Sequence, residues 1–106
     1  MVLPQTLPQF PEHELLPPNL ITAANVLSDI YHHAFRVLDQ DQTDPLQVKI
    51  HLAAIEHDAI PLLLAIEQDN HSTDMNEWLV TTTTQFGTLF VSLSQYGNDI
   101  QNQYVN

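Results

Sequence analysis

The sequence predicts an all-α protein, an antiparallel up-down-up three-helix bundle carrying an extended, proline-rich N-terminal arm. Three observations lead there. Apolar residues recur at alternating steps of four and three along three separate stretches. Prolines gather before the first stretch, and two short polar segments separate the three. Only two glycines and no cysteine occur in 106 residues, so no disulfide framework, thiolate catalysis or Cys-ligated zinc can operate.

Residues 1–18 form the arm and residues 19–106 the bundle. Prolines at 4, 8, 11, 17 and 18 remove backbone donors and bias their predecessors toward extended conformations. Leu3, Leu7, Phe10, Leu15 and Leu16 are apolar, which a solvated tail does not require. The arm is therefore expected to lie across its own bundle or to serve as a linear motif for another protein's groove. Residues 1–18 lack the basic start of a signal peptide, and an intracellular location, cytoplasm or nucleus, is expected.

The first helix is expected over about 20–38, with Asn19 as N-cap and a seam of Leu20, Ala24, Leu27, Tyr31, Ala34 and Leu38 widened by Ala23, Ile30 and Val37. After a polar turn, Asp44 followed by Pro45 is an N-cap signal for a second helix over about 45–69. Its seam is Val48, Leu52, Ile55, Ala59, Leu62 and Ile66, with Pro61 inside it predicting a kink. Asp74 with Glu77 fits a capping box for the third helix, over about 74–101.

That third helix organises the rest. Met75, Leu79, Thr82, Phe86, Leu89, Leu93, Tyr96 and Ile100 form its seam, about 39 Å long. A β-hairpin over residues 79–94 is the rival, because four consecutive threonines disfavour helix and Gly87 suits a turn. The seam continues on both sides of that stretch, which favours helix. Between Glu77 and Asp99 the helix carries no charge. One residue beyond the seam lie Val80, Thr84, Gly87, Val91, Ser94 and Asn98, a narrow stripe of small uncharged residues. With Trp78 and Phe90 expected as flanking aromatic anchors, Trp78, Val80, Thr84, Gly87, Phe90, Val91 and Ser94 are the candidate interaction surface. The alternative is that the arm covers this stripe.

The formal charge of −11 arises from scarcity of cations, since Arg36 and Lys49 stand against 13 carboxylates. Nucleic-acid binding through a basic face is excluded on that ground. Protonating all six histidines would move the charge from −11 to −5 as pH falls through about 6.5. Asp29 with His32 and His33, and His51 with Glu56, His57 and Asp58, lack the paired Glu-x-x-His pattern of di-metal bundles. Surface histidines are expected, with His33 pairing with Asp29, and no metal or cofactor. No nucleophile elbow, phosphate loop or buried acid pair is present, so no enzymatic activity is expected. The expected function is a non-catalytic protein–protein interaction or oligomerisation module, acting on itself as a homodimer or on a partner helix. A place as the N-terminal domain of a longer chain is a further expectation. An acidic inhibitor or mimic occupying a basic site is the alternative.

Overall fold

A computed structural model describes residues 4–9, 18–40, 44–68 and 73–105. Helix α1 (Pro18–Asp39) is followed by α2 (Pro45–Ala54), a π-helical turn (Ile55–Ala59) and α3 (Ile60–Gln68), which run on without a break, and then by α4 (Thr73–Val105). Three antiparallel rods result, the middle one being α2, the π turn and α3, and no strand occurs among the described residues. Residues 79–94 lie wholly within α4, so the hairpin is ruled out. No helix is long and apolar enough to cross a membrane, among the described residues.

The local signals explain most of the boundaries. Asp44 caps α2 as expected, its Oδ1 accepting the Leu46 N–H at 3.0 Å from an extended backbone, with Pro45 in the first turn. Helix α1 begins at Pro18, so Asn19 lies inside it and is not the N-cap. Proline opens a helix without loss because a first-turn N–H has no intrahelical partner. Helix α4 begins one residue before Asp74, whose side chain lies outside the described residues, and continues to Val105 because neither glycine nor proline stops it beyond the buried Ile100.

Helix α4 spans 33 residues, about 50 Å, and forms the backbone of the elongated molecule. Met75, Leu79, Thr82, Phe86, Leu89, Leu93 and Ile100 are buried and Tyr96 is half-buried, reproducing the predicted seam. On α1 the buried face is Leu20, Ala23, Leu27, Tyr31, Ala34 and Val37, rotated slightly from the expected seam so that Ala24 and Leu38 lie at its margin. Tyr31 meets the edge of Phe86 with ring centroids 5.4 Å apart and planes at 90°, and lies nearly parallel to Phe35 at 6.4 Å.

Pro61 acts through the turn before it. A proline ring inside an α-helix clashes with the carbonyl four residues earlier, here that of His57. The chain widens over Ile55–Ala59, where the Ile60 N–H reaches back five residues to the Ile55 carbonyl. One residue is thereby added to the turn, and Leu63 takes the place expected for Leu62, whereas Ile66 is buried as expected. Leu63 enters the core at 4% exposure, and Leu62, predicted from an unbroken heptad, is only partly buried.

Candidate association surface

Helix α4 has two very different sides. Thr82 lies in the core at 0% exposure, and its hydroxyl finds no hydrogen-bond partner. Opposite the core, Val80 is 67% exposed and Val91 55%. Thr84 and Gly87 lie exposed between them. A Cβ added to Gly87 would meet nothing within 4 Å. Thr84 Oγ1 donates to the Val80 carbonyl at 2.8 Å, and Thr88 Oγ1 donates to the Thr84 carbonyl at 3.1 Å. These hydroxyls are committed to the helix's own backbone, so the threonines offer largely their methyl groups outward. The run of poor helix formers remains helical because the seam through it and on both sides of it is buried.

Val80 stands as a ridge between two surface depressions. One, about 420 Å³, lies between Leu63 and Glu67 of α3 and Leu79, Val80 and Thr83 of α4. The other, about 410 Å³, is bounded by Asn76, Glu77, Val80 and Thr81. Leu64 and Ile60 of α3, at 51% and 36% exposure, add apolar surface on the middle rod.

The structure brings together four of the seven predicted surface residues, Val80, Thr84, Gly87 and Val91. Ser94 continues the stripe but is half-buried beside α2, sharing a cavity of about 200 Å³ with Val48 and Leu52. Trp78 and Phe90 do not flank the stripe as exposed anchors. Trp78 is 5% exposed and part of the core, and Phe90 is partly buried against it. The two rings lie on the flanks of the seam, where neighbouring elements reach them.

For Trp78 one neighbour is the arm. Its indole Nε1–H donates to the Pro8 carbonyl at 3.0 Å, Gln85 Nε2 donates to the Thr6 carbonyl at 3.1 Å, and the Tyr31 hydroxyl donates to the Pro4 carbonyl at 2.6 Å. Leu7 packs against the core. Residues 4–9 thus lie across their own bundle, on the flank of α4 beside α1, and leave the Val80–Val91 stripe uncovered. Burial pushes the Tyr31 phenol above its ordinary pKa of 10.0, with a smaller opposing effect of the Gln85 side chain, and it remains a donor at neutral pH. Residues 10–17 of the arm lie outside the described residues.

The histidines adopt an arrangement that i, i+4 pairing did not foresee. Among the described residues no ion pair joins Asp29 to His33, and no group of three His, Asp or Glu side chains could hold a metal. His33 instead shares a cavity of about 250 Å³ with Arg36 and His51. The available signal was positional. His33 and Arg36 are three apart on one face of α1, and His51 follows the next turn closely enough to fold back beside them.

No family model, curated protein or solved structure matches the chain.

Proposed function

We propose that this protein is a non-catalytic association module, and that its partner is a second copy of the same chain docked antiparallel along α4. The observation that carries this reading is the exposed, uncharged face of α4. A solvated helix normally presents Lys and Glu outward, and between Glu77 and Asp99 this one presents none, on a chain of net charge −11. For two such anionic chains, an uncharged strip is the surface on which approach brings no carboxylates face to face.

The spacing favours a two-fold pairing. Val80, Thr84, Gly87 and Val91 are four, three and four residues apart, so the pattern is its own mirror about a point between Thr84 and Gly87. A dyad through that point sets Val80 of one copy against Val91 of the other, and Thr84 against Gly87, the self-complementarity that an isologous interface requires. The glycine gives the threonine room, which permits interaxial distances near the low end of about 8–10 Å. Antiparallel pairing also sets Glu77 opposite Ser94 and separates the two Glu77 carboxylates by about 25 Å along the axis.

Light scattering on a size-exclusion column, at low and high salt, tests the reading. The wild type is expected to be dimeric at both, because apolar contacts survive screening. Gly87→Arg, whose side chain enters open space in the monomer, is expected to be a folded monomer. A wild type that is monomeric at micromolar concentrations, or an undiminished Gly87→Arg dimer, would overturn it.

A further inference from the structure

We propose that the surface depression between the C-terminal end of α1 and the first turns of α2 binds a small tetrahedral oxyanion of the inorganic phosphate and sulfate class, held by Arg36, His33 and His51. It is an open surface depression of about 250 Å³, lined by the exposed His33, Arg36 and Gln40, the half-buried His51 and the buried Val37. A tetrahedral oxyanion with part of its hydration shell fits that space. Arg36 is one of only two Lys or Arg residues in the chain, and among the described residues no carboxylate pairs with it, although 13 acidic residues were available.

The placement is the opposite of what self-neutralisation would give. An anionic chain gains by spreading its few cations among its carboxylates, yet here a guanidinium and two imidazoles from two helices converge on one space. Arg36 offers a planar donor fork suited to phosphate, and each protonated imidazole offers N–H donors. Partial burial disfavours the charged form of the half-buried His51 most, and His33 on α1 disfavours it further. Arg36 on α1 lines the same cavity. A bound dianion reverses that balance by giving the protonated imidazoles a counter-charge. Binding of an oxyanion that stays a dianion throughout, such as sulfate, therefore strengthens as pH falls through the histidine range, with proton uptake by the site.

Isothermal titration with sodium sulfate at pH 6 and pH 8, with sodium chloride at matched ionic strength as control, provides the test. Saturable binding at pH 6, at least tenfold weaker at pH 8 and at least tenfold weaker in Arg36→Gln, is expected. His51→Gln, with the fold checked by circular dichroism, should lessen the pH dependence, and His33→Gln with His51→Gln should remove it, while Arg36 retains residual binding. Sulfate is a dianion at both pH values and reports the site alone, whereas phosphate should show a shallower dependence because it gains its second negative charge over the same interval. Absence of saturable binding at pH 6, or binding indifferent to Arg36→Gln, overturns the proposal. An effect reproduced by chloride would mean general screening and overturns it equally. Since Arg36 lies away from the α4 stripe, the oligomeric state is expected to be unchanged in Arg36→Gln, which separates this site from the association surface.

Discussion

A Cβ placed on Gly97 would stand 2.8 Å from Cγ1 of Val48, closer than two carbon atoms can approach without movement. Val48 is 2% exposed and β-branched, so it cannot swing aside without disturbing the core. Of the two glycines in α4, Gly97 is thus the one required by the bundle itself, letting α2 and α4 approach closely.

Gly97→Ala should therefore destabilise the protein by about 1–2 kcal/mol through overpacking, despite the better helix propensity of alanine. Gly87→Ala should do the reverse and stabilise the monomer by about 0.5–1 kcal/mol, because its Cβ meets open space. Urea denaturation at concentrations low enough for a monomer measures both. In the Val48→Ala background the Gly97→Ala penalty should shrink by at least about 0.5 kcal/mol. Strict additivity would mean that the contact relaxes by another route.

Thr82→Val is expected to raise stability by about 1 kcal/mol. The substitution preserves shape and removes a hydroxyl that is fully buried with no partner. Equilibrium unfolding reads this directly, and an unchanged or lower midpoint would show that the hydroxyl is satisfied in solution.

Deleting residues 1–9 removes the carbonyls that accept from Tyr31, Trp78 and Gln85, together with the Leu7 contact. A loss of about 2–3 kcal/mol is expected from three such bonds. Trp78 is the sole tryptophan, so its fluorescence should move to longer wavelength as the indole gains access to water. Unaltered emission would show that the arm does not shield the indole in solution.

Stability should fall as pH is lowered through the histidine range in a buffer free of phosphate and sulfate. Burial and His33 lower the His51 pKa in the folded state below its ordinary 6.5, so the unfolded chain takes up that proton first. Stability therefore rises with pH where the unfolded state binds more protons, and declines from about pH 6.5 down to the folded-state pKa. His51→Gln should flatten this part of the profile in thermal melts recorded at closely spaced pH values. Phosphate should flatten it in the wild type.

The α4 seam was legible because seven of its eight positions fall on one buried face of a straight, unbroken helix. Along the middle rod the same reasoning placed Leu62 where Leu63 is buried, although Ile66 fell as expected, since a proline inside a helix can be accommodated by widening the preceding turn, which changes which leucine next to it faces inward. The α4 stripe was legible from its missing charges. Its supposed anchors were not, because whether an aromatic ring at the edge of a seam is covered depends on what crosses it, and for Trp78 that includes residues 70 positions away.

Period, capping and punctuation in the sequence alone determined the helical class, the number of rods, the Asp44 boundary and the uncharged face of α4, because each depends on residues within a few turns of one another. Tertiary structure decided the path of the arm, the close approach of Val48 to Gly97 and the meeting of His33, Arg36 and His51. Each of those depends on the relative rotation and separation of whole helices, which are set by how side chains from different elements fill a common space.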